Sequence, residues 1–535
     1  MRRRTLLQLA SLFLLSRLCP PRLFAAADAP EPQGFFAMLK GRARARAATG
    51  YHPPRNMLTP ALAKMSWDRY QKLKFDPERG LWANEGREFH VRFFPPGRDY
   101  KEPVEMYELA GGEARRVAFD PSMFDFRAAG FGALPKDLDF TGFRIHFHTD
   151  WERDVAAFLG ASYFRAVGGE KQYGISARGL AVDAGLDRPE EFPVFEAFWL
   201  VRPEKSADRL TIYALMDSPS IAGAYRFEIA PGAILTIDVD AALYPRRPVE
   251  RLGVAPLSSM FLCGENDRRV AGDWRPEIHD SDGLALWTGG GERIWRPLVN
   301  PTGVRLNSYF DENPRGFGLM QRDRDFDHYQ DDGAYYDRRP SVWIETKSVD
   351  GRGWGKGAVQ LLEFPTADET TDNIAAFWHP AEPQRPGQEL LFSYRMHWGA
   401  RAPFESPAGR VVATRTGIGG VVGRKREYFS WRFAVDFAGG ELAELTEKAQ
   451  VVAAVSASRG AVEIVSAQPQ AEIRGWRAKF DIRPADESVE PIDLRLHLRL
   501  GARALTETWI YQWTPPPPED RRRWITARAP RDIAE

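Results

Sequence analysis

Three short stretches place carboxylates beside aromatic rings. In "FPTADETTDNIAAFWHP", which begins at Phe364, Asp368, Glu369 and Asp372 crowd together with Thr366, Thr370 and Thr371, just ahead of Phe377 and Trp378. The stretch "PEIHDSDGLALWTGGGERIWRPL" sets His279, Asp280 and Asp282 before Trp287 and Trp295, and "DDGAYYDRRPSVW" adds Tyr335, Tyr336, Asp337 and Trp343. A saccharide site needs this mixture. Aromatic faces cover the apolar C–H faces of sugar rings while carboxylates and arginines bind the hydroxyls. Trp295, Trp343 and Trp378 are therefore the candidate stacking residues. Cleavage of a glycosidic bond also requires two carboxyl groups flanking it, one protonated and one ionised. The competing reading is structural, because loops collect Asp and Thr for local hydrogen bonds and ion pairs.

Other chemistries find less in this chain. His146 and His148 lie two apart on a strand, but no third ligand stands at a recognisable spacing, and a solvent-facing polar strand accounts for both. "DRDFDHYQDDG" looks like a calcium loop, yet His328 stands where Gly is required and Ala334 where Glu is required. The Gly-rich "WTGGGERIW" and "GRGWGKGAV" lack the Gly-Lys-Ser/Thr ending of a phosphate-binding loop and read as hairpin turns. There is no Gly-x-Ser-x-Gly elbow, and nothing singles out Cys263 as a nucleophile. The expectation is no metal site and no cofactor.

The elements that must position these residues read as mainly β. The 535 residues carry 73 basic and 73 acidic side chains, a balance without the basic excess of a nucleic-acid or anionic-membrane binder. Aromatic residues reach 12%, and abundant Gly and Pro imply many turns. From about Phe89 onward, period-two alternation dominates: "FHVRFF", "FRIHFHTD", "RLTIYALMDSP" and "AILTIDVDAALY" are half-buried strands, and Leu494, Leu496, Leu498 and Leu500 alternate with Arg495, His497 and Arg499. Ahead of them, "QGFFAMLKGRARARAATG" and "MSWDRYQKLKF" predict short helices, the second with Ser66 as N-cap. "DWERDVAAFLG" is the one long helical candidate within the β region.

Residues 1–27 predict an export signal, with a basic start, a short apolar run and an Ala25-Ala26-Ala27 exit. Arg3-Arg4-Thr5-Leu6-Leu7-Gln8 fits the twin-arginine pattern for folded cargo, and the run is too short and interrupted to span a membrane. Cys19 follows Leu18 rather than a small residue, which excludes a lipoprotein site. Removal of the signal leaves Cys263 as the single cysteine, so the mature chain has no internal disulfide and depends on a large packed core. The expected destination is the bacterial periplasm, with no membrane insertion of the mature protein. Residues 28–398 predict a large antiparallel β-sandwich domain with a cleft, residues 399–408 a linker, and residues 409–517 a smaller immunoglobulin-like β-sandwich domain. The tail from 518, in "TPPPPEDRRRW", predicts extended, poorly packed chain.

Several long strings, among them "LGASYFRAVG", "YGISARGLAVD", "YALMDSPSIAGAYRF", "IHDSDGLALW", "NPRGFGLMQRDRDF" and "DETTDNIAAFW", resemble the family of periplasmic glucan biosynthesis proteins G and D of Gram-negative bacteria. The resemblance covers essentially the whole mature chain, and "VVATRTGIGG" with the twin-arginine signal is similar to the D branch. It implies a cleft-bearing β-sandwich followed by an immunoglobulin-like domain. It also implies a role in making osmoregulated periplasmic glucans, with β-1,2-linked glucan as the ligand and the inner-membrane glucan synthase as a possible partner. Family members are described as anomer-inverting hydrolases of β-1,2-glucan. The same acid and base would serve transglycosylation, and a non-catalytic glucan-binding scaffold stays open. Carried onto this chain, the family's acid falls on Asp372 of "DETTDN" and its base on Asp280 of "IHDSDG", with Tyr336 and Thr370 matching positions for substrate hydroxyls or a proton relay. On this reading, Asp372 is kept protonated by a partly apolar, aromatic neighbourhood.

Overall fold

The structure is a computed structural model that describes residues 34–131, 135–269, 272–404 and 406–526. The expected export signal lies outside them.

Strand alternation builds two large sheets packed face to face. The first has ten strands and runs from Phe89–Phe94 through Gly142–Phe147, Asp150–Leu159, Tyr163–Ala166, Ser176–Arg178, Leu252–Ser259, Ile374–Pro380 and Lys356–Glu363 to Arg305–Glu312, with Leu180–Val182 beside Leu252–Ser259. The second has fifteen strands, and Leu235–Pro245 lies near its middle. Phe143, Phe158 and Phe164 of the first sheet meet Phe198 and Phe227 of the second, with ring centroids 5.0 to 5.5 Å apart. Burying each such ring is worth about 1.5–3 kcal/mol, so this aromatic layer holds the larger sandwich together. In Leu235–Pro245 the alternation gives way to continuous burial, because the helix Phe35–Ala47 lays Leu39 and Ala43 over the outer face at Ala242 and Tyr244.

A four-stranded sheet of Arg410–Ile418, Trp431–Ala438, Gly475–Arg483 and Ala461–Gln470 forms one layer of a second sandwich. Its other layer is the far end of the fifteen-stranded sheet, Val451–Ala457, Ile492–Leu500 and Thr508–Trp513. Phe433 and Phe480 pack there against Trp509. The large sheet therefore passes through both sandwiches, and its join is a parallel pairing of Ile294 with Thr508 and Trp295 with Trp509. As expected, the protein is mainly β and antiparallel, Ser66 caps Trp67–Tyr70, and Cys263 is a buried free thiol whose pKa burial pushes up to about 11.

Four local expectations are corrected. "DWERDVAAFLG" is a strand, Asp150–Leu159, because pairing on both sides overrides its helical propensity and puts Ala156 and Phe158 into the core. "GRGWGKGAV" begins in a tight turn at Asp350-Gly351, closed by Val349 and Arg352 bonding each other at 2.9 Å, but it joins no pair of neighbouring sheet strands: it carries the chain from Ser341–Lys347 in one sheet to Lys356–Glu363 in the other, with Trp354 buried beneath. The tail forms the helix Pro518–Thr526, since proline suits a first helical position and Trp524 finds Phe429 and Trp431 at 5.7 and 5.4 Å. His146 is buried rather than solvent-facing, and desolvation, with Arg92 and Arg144 nearby, lowers its pKa to about 3. His148, beyond the strand end, is exposed beside Glu88.

Candidate active site

The loop 364–373 closes the hairpin between Lys356–Glu363 and Ile374–Pro380. Two buried asparagines fix its ends. Asn373 donates to the carbonyls of Phe261 and Phe364 (3.0 and 2.9 Å) and accepts from the Phe261 N–H at 2.8 Å. Asn300 donates to Thr366 O at 2.9 Å and accepts from the Thr366 N–H at 3.0 Å. Inside the loop, Asp368 accepts both the N–H and the hydroxyl of Thr370, at 2.8 and 2.6 Å. Glu369 reaches outward instead. It takes a two-pronged bond from Arg275 (2.9 and 3.0 Å) and the Tyr336 hydroxyl at 2.6 Å. Arg275 also pairs with Asp273 and Asp331, so one guanidinium ties together segments far apart in sequence. The three acid-and-aromatic stretches of the sequence thus converge.

Asp280 lies directly after the short strand Ile278–His279, which pairs with Phe261–Cys263. Its carboxylate is buried and bonded to Arg339. That guanidinium lies 4.2 Å over the Tyr336 ring, and its Nε donates to Ala334 O at 3.2 Å. Behind this wall the buried His279 bonds Gln321 at 2.9 Å, and Gln321 donates to Tyr336 O at 3.0 Å. Desolvation raises the Asp280 pKa, Arg339 opposes it, Asp372 adds to it, and the net shift is upward. Asp372 and Arg165 both act on Asp280 through space, which sets the two candidate carboxylates in one electrostatic neighbourhood.

Asp372 stands on the wall of a cleft of about 810 Å³, together with Arg144, Asp154, Tyr163, Arg165 and Tyr173. The expected apolar enclosure is not found: Asp372 is exposed, while Phe377 and Trp378 turn their rings fully into the cores. Trp295 and Trp343 are likewise buried. Arg322 covers Trp295 at 3.7 Å, and Phe404 lies 5.0 Å from Trp343. The stacking role expected of these three tryptophans is corrected by a common cause. Each indole fills the notch left by a glycine on the neighbouring strand: Trp295 over Gly283, Trp343 over Gly316 and Trp378 over Gly357, where an added Cβ would run into the ring. Tyr336 is brought beside Asp280, and Thr370 stays within its loop.

Arg275, Arg339, Tyr163 and Arg165 escaped the reading by residue type, and Glu369, one of the three crowded acids, was given no partner there. Tyr163 and Arg165 had a usable signal, since they alternate with the core residues Phe164 and Ala166 on one strand and so share the opposite face.

These features define a class: a double β-sandwich protein with a cleft walled by carboxylates, arginines and tyrosines. The chain belongs to the family described as periplasmic glucan biosynthesis protein MdoG, whose model matches residues 35–513. It is 58% identical over 498 residues to the probable glucans biosynthesis protein D of Shewanella oneidensis, covering 92% of each chain. It is 56% identical over 497 residues to glucans biosynthesis protein D of Xanthomonas axonopodis pv. citri, again covering 92% of each. Against the protein of that name from Stenotrophomonas maltophilia strain K279a it is 56% identical over 490 residues, 91% of each.

Proposed function

We propose that the protein works in periplasmic glucan biosynthesis by cleaving β-1,2-linked glucan with inversion of the anomeric centre, Asp372 acting as general acid and Asp280 as base. The observation that carries this reading is the contrast between two carboxylates that act on each other through space: Asp280 is buried and held by Arg339, while Asp372 stands on the wall of the open cleft a substrate would fill. Family membership and relatives named for glucan biosynthesis support the substrate class.

In this mechanism Asp372 protonates the departing glycosidic oxygen. Asp280 receives the proton of the attacking water; burial shifts its pKa upward, while the Arg339 guanidinium opposes that shift and favours the ionised form a base needs. Direct attack in inverting enzymes needs a carboxyl separation of about 6.5–9.5 Å. Because Asp280 is only 5% exposed, its proton comes through a substrate hydroxyl or a bridging water. Tyr336 and Glu369 hold the acid-bearing loop against the base, and Thr370 orders that loop through Asp368. Residues 28–398 would form the glucan-active domain and 409–517 the immunoglobulin-like one. No helix among the described residues is long and apolar enough to cross a membrane, and the mature protein would meet the inner-membrane synthase from the periplasmic side.

The test is incubation of the purified protein with linear β-1,2-glucan and mass analysis of the products. Hydrolysis adds one water per bond broken and yields new reducing ends. Ring products without reducing ends would replace hydrolysis by transfer on the same residues, and absence of both binding and turnover would overturn the reading.

A further inference from the structure

The segment "DRDFDHYQDDG", rejected above as a calcium loop, forms a different constellation in space. Asp325 caps the single-turn helix Phe326–Tyr329, which brings His328 Nδ1 within 2.5 Å of Asp323 Oδ2. Glu277 comes to the same place from the other side, three residues ahead of Asp280. Ligand atoms of Glu277, Asp323 and His328 all lie within 4.8 Å of one another.

A second observation points to a ligand there. Glu277 is only 6% exposed, and its Oε2 is occupied by His279 Nε2 at 3.1 Å. Glu277 and Asp323 line a cavity of about 30 Å³, the size of one ion or one water. Glu277 is thus a buried carboxylate on the wall of a space that a cation or a donor would fill. Arg322, which lines the cavity, and Arg415, which pairs with the cavity-lining Glu265, are committed elsewhere. Arg322 lies on Trp295 and bonds Glu507 at 2.6 Å, and Arg415 pairs with Asp436 and Glu265 at 2.9 and 3.2 Å.

We propose that Glu277, Asp323 and His328 bind a divalent transition-metal ion. Two carboxylates and an imidazole suit Zn²⁺ or Mn²⁺ rather than Ca²⁺, which takes six or more oxygen ligands. An ion here ties the segment carrying Asp280 to the segment 323–328. The backbone already bridges these regions through Asp282, which accepts the N–H groups of Arg322 and Asp323 at 3.0 to 3.2 Å. The site is structural: it steadies the wall behind the cleft without facing it.

The experiment uses full-length mature protein stripped with chelator and re-equilibrated with Zn²⁺ or Mn²⁺, with Ca²⁺ and Mg²⁺ as contrasts. Bound metal is counted by elemental analysis and stability is read by thermal melting. The expected result is one equivalent of Zn²⁺ or Mn²⁺ with a higher Tm, and loss of both in Glu277→Gln and in His328→Ala. His328 is half-exposed, so its variant folds and serves as the control if Glu277→Gln does not. Absence of stoichiometric Zn²⁺ or Mn²⁺ in the wild type, or binding undiminished in His328→Ala, overturns the proposal and identifies the cavity as a water site.

Discussion

Glu369 gives the acid-bearing loop its direction. Without it, the loop 364–373 would be fixed only at its ends by Asn300 and Asn373, and Asp372 would swing with the hairpin tip. On the proposed mechanism, Asp372→Asn removes the leaving-group proton and should lower kcat by about 10²–10⁴-fold while leaving glucan binding intact. Glu369→Gln keeps the acid but weakens the Arg275 fork, so its loss should be smaller, about 10²-fold at most, as misplacement of a correct group dictates. Equal losses in single-turnover assays of the two variants would sink this division of labour. A second residue-scale prediction concerns His146. Its folded pKa lies near 3 against an ordinary value near 6.5, so between these pH values the unfolded chain binds a proton that the native chain does not. Stability should therefore fall as pH drops through that window, by up to ~1.4 kcal/mol per pH unit from this group. His146→Gln should flatten urea-melt stability over the window, and an unchanged slope would rule His146 out as the source. At this scale the candidates Asp280 and Asp372 came from the long, uncommon strings that carry the family resemblance. Sequence reading named Glu369 but missed its partner Arg275, because the pairing spans 94 positions and leaves no local spacing to read.

The elements owe their packing to glycine as much as to the large apolar residues. Gly283, Gly316 and Gly357 each sit across from an indole, and this pairing removed Trp295, Trp343 and Trp378 from the cleft. Aromatic abundance and the β pattern were both plain in the sequence. Which face an indole takes was not, because that depends on a glycine one strand away. Gly316→Ala should lower stability by about 1–3 kcal/mol, since the added methyl meets both the Trp343 ring and the Ile344 carbonyl and neither can withdraw. Circular dichroism should remain β, and melting should come earlier. A Tm within error of the wild type would show that the neighbouring strand yields more easily than this packing implies. The same dependence on distant partners explains Asp150–Leu159. Its local sequence favours a helix, and only the flanking strands make it extended.

The whole molecule turns on one join. Period-two patterning marked strands on both sides of residues 399–408, and the composition of that stretch predicts a connector. The parallel pairing of 294–295 with 508–509 was not, because strands more than two hundred residues apart carry no mutual mark in the chain. Through that pairing the second sandwich takes one of its layers from the sheet of the first. Arg322 reinforces it by bonding both Glu507 and the carbonyl of Val411. Trp295 and Trp343 lie in the same core cluster as Phe433 and Trp509, so apolar packing is as continuous as the hydrogen bonding. Two sandwiches linked only by a flexible connector would melt independently. Sharing a sheet and a core, they should instead unfold in one cooperative calorimetric transition, and a fragment ending at residue 398 should expose the Arg293–Pro297 edge and aggregate. Two resolved transitions, or a soluble fragment that melts sharply, would show that the join contributes little and that each sandwich stands alone.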